Sequence, residues 1–409
     1  IMKKLMLMAL MALGASTSFA GDSDALKAIM SAKTFVEAEN LVKSNLSQLA
    51  NNEEKAKAYN KLVDLAMQKV NKEQTIIEKN MLSQQLKQGE QQQYDTVGYY
   101  DALYHAINAG IEADKYDMMP NAKGKVKPKF HKDNQNRLYN LRPQLINAGQ
   151  DAGTKNDQQG ALKNFGLYVS SSQANLFKDV ANKPAYDQYL GEVARVAAVY
   201  AFQDKKVDLA NQYADVALQD TAKDVHKEAL NLKSYLITQG LTSKSDSLKA
   251  IESLKELYVK EKGNEQVFSA LSSMYNGMDN KEELNKLVAS KLQEDPNNFS
   301  ALAMKAQIAM NAGQWDEAIE GYKKAVSVND KDPLVYTYLG FCINSKAQGL
   351  NNAAEQKKLY TESVGYLEKA RDLDPDKSRA NWSYPLYQCY YSLYGAEDSR
   401  TKEMENLNK

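Results

Sequence analysis

The sequence predicts an all-α fold, an α-α superhelix (solenoid) of antiparallel helix pairs, and three observations carry that prediction. Apolar residues recur at helical spacing almost everywhere after residue 25, with no convincing run of strand-like alternation. Turn-forming residues are scarce, with 8 Pro and 20 Gly in 409 residues. That is about 2% proline against a typical ~5%, which favours long helices over short strands. The apolar pattern also repeats itself at a fixed interval, the signature of a chain built from stacked units.

From the N-terminus, Lys3 and Lys4 precede an apolar run from Leu5 to Leu13, and Ser18-Phe19-Ala20 then offers a small-x-small cleavage site. Residues 1–20 are therefore expected to be a secretory signal peptide, too short to span the ~30 Å of a bilayer core. No cysteine follows the expected cut and no later segment is apolar enough to cross a membrane. The product is expected to be periplasmic or secreted and not a lipoprotein.

Residues 21–113 read as an N-terminal region of three or so degenerate helix pairs. Tyr59, Leu62, Val63, Ala66 and Val70 share one helical face, as do Val97, Tyr100, Tyr104, Ile107 and Ile111. The Gln-rich patch Gln84–Gln93 reads as a polar helix end. Residues 114–137 then read as a long irregular loop, with Pro120, Gly124, Pro128 and lysines at 115, 123, 125, 127, 129 and 132. Loops beyond ~12–15 residues are either functional or disordered. This one is a solvated loop or a docking element for an anionic surface.

Repeats occupy residues 138–377. Phe268, Leu271-Ser272, Tyr275, Leu284, Val288 and Pro296 define a unit from Glu265 to Asn298. The next unit, 299–332, carries Leu302, Ala306, the turn Asn311–Trp315, Ala318, Tyr322 and Ala325. Tyr336, Leu339-Gly340, Ile343, Leu367, Ala370 and Pro375 mark a third, 333–377, with an insertion around Gln348–Lys358. Backwards in register, 225–264, 191–224 and 142–175 repeat the scheme. These motifs resemble the tetratricopeptide repeat (TPR), a helix–turn–helix of 34 residues whose small residues let two helices pack closely. Lys305 and Ser363 depart from the family's pattern at positions that are usually large apolar and Ala. Residues 378–409 read as an aromatic capping helix and a charged tail.

The resemblance implies that the first helix of each pair lines a concave groove. The residues it places there are Ser269, Ser273, Asn276, Ala303, Gln307, Met310, Thr337, Phe341 and Asn344, then Trp382, Leu386 and Cys389. This surface is neutral and polar. It lacks the Lys-and-Asn clamp that some TPR domains use for C-terminal carboxylates, because Arg195, Lys233 and Arg379 are scattered.

At the C-terminal end Trp382, Tyr384, Tyr387, Tyr390, Tyr391 and Tyr394 form an aromatic cluster. It either seals the end of the array or stacks on sugars and partners. Cys342 and Cys389 are expected to be packed, unpaired thiols, since on this register they point to different sides.

The 52 basic and 52 acidic side chains cancel, which argues against a nucleic-acid partner. Asp372, Asp374 and Asp376 imitate a calcium loop but lack its Gly and its bidentate Glu. His105, His131 and His226 show no paired ligand spacing, and no nucleophile elbow or phosphate-binding loop is present. The expected activity is a non-catalytic protein–protein interaction scaffold without metal or cofactor, taking a protein or peptide partner in the groove. The alternative is a periplasmic carbohydrate- or peptide-binding protein using the aromatic end. The sequence assigns no oligomeric state.

Overall fold

The computed structural model describes residues 21–121, 123–181, 183, 187–261 and 263–408. The signal-like segment 1–20 lies outside them. Every regular element among the described residues is helical, and the chain divides into two compact units, 1–236 and 237–409.

The first unit opens with α1 (Asp24–Ser31) and α2 (Phe35–Asn45), which lie against α3 (Asn52–Leu86); α3 pairs with α4 (Thr96–Asp117). Side-chain oxygens of Ser23, Thr34, Asn51 and Asp95 cap these four helices, satisfying N–H groups with no partner inside the helix. The three pairs expected over 21–113 are thus one short pair and one long one. Asn52–Leu86 contains neither Gly nor Pro, so no residue breaks the helix along this length.

On α3 the expected face is the packed one, with Leu62, Val63, Ala66 and Val70 buried. On α4 it is displaced: Val97 is 68% exposed, and Tyr99, Leu103, Ala106 and Ile107 form the buried stripe. The reason is that α4 meets α3 on one side and three later helices on others, so apolar residues run round most of it and periodicity does not select one face.

Helix α4 continues to Asp117, and α5 (His131–Tyr139) starts well before residue 137. The irregular stretch expected at 114–137 is therefore 118–130. Then come α6 (Gln144–Thr154) with α7 (Gln158–Ser172), α8 (Leu190–Gln203) with α9 (Val207–Ala217), and α10 (Lys223–Ile237). Arg142 is buried between α5 and α6. It donates to Ser171 Oγ at 2.8 Å, to the Tyr168 carbonyl at 2.9 Å and to Asp187 Oδ1 at 2.7 Å. The rings of Tyr139, Tyr168 and Phe177 enclose its guanidinium.

The second unit contains α11 (Lys244–Lys260), α12 (Glu265–Gly277), α13 (Lys281–Glu294), α14 (Phe299–Asn311), α15 (Trp315–Val328), α16 (Pro333–Gln348), α17 (Ala353–Leu373), α18 (Ser383–Tyr394) and α19 (Ser399–Leu407). The units read at 265–298, 299–332 and 333–377 each hold one helix pair, so the TPR-like architecture expected from the sequence is the one observed. Pro333 opens α16 at its first turn, where its missing N–H costs nothing. The insertion at Gln348–Lys358 is mostly helix and lengthens α17 to 21 residues.

Small residues mark the seams. An added Cβ on Gly340 of α16 would lie 2.4 Å from Leu367 Cγ of α17, and one on Gly321 of α15 would lie 2.9 Å from Ala306 Cβ of α14. Ser363, at the family's usual Ala position, donates its buried hydroxyl to the Gly340 carbonyl at 3.0 Å. The charged tail is itself helical: α19 buries Thr401 and Met404, because every third or fourth residue there can reach α18 while the charges stay in water.

Candidate functional site

In the second unit the first helices of successive pairs lie side by side, α12 against α14 and α16 against α18. Residues at i, i+3, i+4 and i+7 of α16 (Leu334, Thr337, Tyr338 and Phe341) face a cleft with a cavity volume of about 410 Å³. Met310 of α14 closes one side, and Asn381, Tyr384 and Pro385 at the start of α18 close the other. Phe341 is 42% exposed and Tyr384 55% exposed. Phe341 packs edge-on against Trp315 with centroids 6.3 Å apart. Tyr338 lies 6.0 Å from Tyr322, whose burial pushes its phenol far above the ordinary tyrosine range.

The lining has no titratable side chain apart from tyrosine hydroxyls. Its polar groups are the Asn381 amide and the Thr337 hydroxyl, which is spent on the Pro333 carbonyl at 2.8 Å. Arg379 stands close by in sequence but is turned to Asp332 at 3.5 Å. Such a cleft excludes water from apolar side chains and offers few directed polar contacts.

The expected groove residues separate into three groups. Met310, Thr337 and Phe341 line the cleft, and Tyr384 from the aromatic end joins them. Ser269, Asn276 and Gln307 are partly exposed, and Ser273 is exposed. Asn276 accepts from Asn311 Nδ2 at 3.5 Å across two units.

Asn344, Trp382, Leu386 and Cys389 are not in the groove. Leu386 and Cys389 have no exposed surface, Trp382 is 2% exposed, and Asn344 is likewise buried. Asn344 donates to the Pro385 carbonyl at 2.9 Å and accepts from Cys389 Sγ at 3.0 Å. The register failed here because α17 and α18 pack over α16 from both sides, turning positions that face solvent in an ordinary pair into core. Cys342 and Cys389 are both free and buried.

The aromatic cluster is divided too. Tyr390 is buried and donates to Glu368 Oε1 at 2.6 Å, while Tyr387 packs 5.9 Å from Tyr391. The Arg400 guanidinium of α19 lies 3.6 Å above the Tyr394 ring, so one face of that ring is taken. Tyr384 and Tyr391 remain the exposed rings of α18 without such a cover. The calcium-like triplet has another use. The Asp374 carboxylate accepts from the backbone N–H groups of Ser378, Arg379 and Ala380 and from the Ser378 hydroxyl. Despite burial, these bonds hold its pKa below the ordinary range. Sequence reasoning passed over Leu334, Tyr338, Asn381 and Pro385, although the spacing Leu334–Thr337–Tyr338–Phe341 carries the helical signal that could have found two of them.

No family model matches the chain, and no curated protein matches it. Solved structures do resemble it. A tetratricopeptide repeat protein from Parabacteroides merdae is 14% identical with TM-score 0.41, covering 66% of this chain and 93% of its own. Human IFIT1, as a dimer with PPP-AAAA, is 13% identical with TM-score 0.39, over 74% of this chain and 76% of its own. Yeast Tom70 is 11% identical with TM-score 0.35, over 94% of this chain and 87% of its own.

Proposed function

We propose that this chain is a non-catalytic scaffold of the cell envelope that holds a segment of a partner protein in the α14–α16–α18 cleft. The observation that carries the reading is the convergence of three exposed large apolar side chains, Leu334, Phe341 and Tyr384, on one cleft. Scattered exposed apolar residues are ordinary, but a cluster on a rigid repeat face is how helical repeats hold polypeptides. The near-absence of charge in the lining suits an uncharged segment with one or two apolar anchors, and it offers nothing to a nucleic-acid backbone. Export supports placing the partner outside the cytoplasm, and it rests on the signal-like residues 1–20 alone.

The test is site-specific photo-crosslinking in cells with a benzophenone amino acid at position 341 or 384, and at the exposed Leu248 of the same unit as control. Polypeptide adducts at 341 and 384 but not at 248 are the expected result. Equal capture at all three positions refutes the cleft. The carbohydrate reading keeps one supporting observation, the exposed rings of Tyr384 and Tyr391. It has lost Trp382, the ring best suited to stacking on a sugar.

A further inference from the structure

From the segment between α4 and α5 we infer a second binding surface, independent of the cleft: Lys123, Lys125 and Lys127 form a docking tip for an anionic phospholipid surface. The segment is built at both ends. Asn121 Oδ1 accepts the backbone N–H groups of Lys123 at 3.0 Å and Lys125 at 3.1 Å, and the Asn121 N–H donates to the Lys125 carbonyl at 3.0 Å. Gly124, at φ +70°, makes the turn between them. At the other end the Asp117 carboxylate accepts from the N–H groups of Lys129, Phe130 and His131 at 2.7–2.9 Å. Next to it, buried Asp114 holds His131 Nδ1 at 2.5 Å and accepts from Asn175 Nδ2 at 3.0 Å.

Several nearby carboxylates are already committed. Asp114 and Asp117 are turned inward, Glu53 pairs with Lys129 at 2.9 Å, and Glu112 pairs with Lys115 at 3.8 Å. Among the described residues, the ammonium groups of Lys123, Lys125 and Lys127 have no ion-pair or hydrogen-bond partner. Three unneutralised cations within five residues repel one another, and an anionic partner relieves that repulsion.

The shape of the tip decides which partner. Every residue from Lys123 to Lys129 is exposed, so there is no concavity to grip a peptide. A flat sheet of mobile headgroups can meet the whole tip. Val126, 48% exposed, and Met119, also exposed, are set among the lysines, the mixture of cation and apolar side chain that suits a membrane interface. Lys55 lies over the Tyr116 ring at 5.5 Å and extends the basic surface along the same end of α3 and α4.

The test is co-sedimentation of the full chain with vesicles of phosphatidylglycerol mixed with phosphatidylcholine, and with vesicles of phosphatidylcholine alone, across a salt titration. The comparison is with Lys123→Gln/Lys125→Gln/Lys127→Gln and with Val126→Asp, each checked for an unchanged circular dichroism spectrum and melting point. Binding to the anionic vesicles, weakened by salt and lowered on the order of 100-fold by the triple substitution, is expected from the energy of a lysine near an anionic surface. Val126→Asp should weaken it further than its one charge alone. Equal binding to neutral vesicles, or a triple variant that binds as the parent does, overturns the proposal. So does lysine-dependent binding of a polyglutamate peptide in the absence of vesicle binding, since the surface would then belong to an acidic protein.

Discussion

The indole Nε1–H of Trp382 donates to the backbone carbonyl of Asp374 at 2.7 Å, and both residues are buried. This bond ties the start of α18 to the end of α17 and accounts for two readings at once. It takes the tryptophan out of the groove, and with the N–H groups gathered by its carboxylate it makes Asp374 the hub of a turn. Trp382→Phe keeps an aromatic ring but removes this bond, leaving the carbonyl with the Lys377 N–H at 3.1 Å as its donor, at an expected cost of ~1 kcal/mol. A lowered melting point with unchanged crosslinking at position 384 is the expected outcome. Weakened partner capture at full stability would return Trp382 to the binding surface.

Gly340, in the seam of one helix pair, and Gly365, on the exposed face of its second helix, should respond oppositely to alanine. At Gly340 the new methyl meets Leu367 at 2.4 Å, and overpacking a seam of this kind costs typically ~1–3 kcal/mol. At Gly365 nothing lies within 4 Å, so alanine should gain roughly 0.5–1 kcal/mol from the reduced freedom of the unfolded chain. Chemical denaturation of the two variants reads both signs. A neutral Gly340→Ala would mean that α16 and α17 can separate without loss.

Burial pushes the thiol of Cys342 up to about 12 and that of Cys389 to about 11. The thiolate, which is the reactive form, is therefore scarce near neutral pH, and the sulfurs have no exposed surface. Iodoacetamide should leave the native protein unmodified at mildly alkaline pH and label both cysteines after unfolding in urea. Rapid labelling of either one in the native state would contradict the packing described for α16 and α18.

How far the sequence could be read differs between these two regions for a physical reason. The repeat seams were legible because small residues at fixed spacing have one geometric use, close helix contact. The face of each first helix was legible only in part: Met310, Thr337 and Phe341 line a cleft, while Asn344 and Leu386 are buried in the core. An amide or a leucine on a helix looks the same whether its next neighbour is water or another helix.

His105 supplies the pH dependence. Burial, with Phe35 at 4.6 Å and Tyr104 at 5.6 Å, lowers its pKa from the ordinary 6.5, outweighing the Asp101 carboxylate 3.5 Å away that pulls it up. The fold thus favours the neutral ring. Its contribution is complete above the ordinary histidine range and is lost as pH falls through the lower folded value, because the unfolded chain takes the proton first. Acidifying from about pH 7.5 to about pH 5.5 should lower the melting point of the parent more than that of His105→Gln. Equal decrements in the two proteins would show that the ring is protonated as easily in the fold as outside it.

By itself the sequence determined that the chain is helical and that it is built from TPR-like helix pairs. Both follow from periodicity and from residues whose size or backbone restricts them to one local use. Only the tertiary structure decided that 52–86 is a single helix, that the Lys-rich segment is short and anchored, and that Trp382 belongs to the core while Phe341 and Tyr384 meet at a cleft. Those outcomes depend on what lies across each helix, and a side chain's burial is a property of its neighbours, which no local pattern encodes.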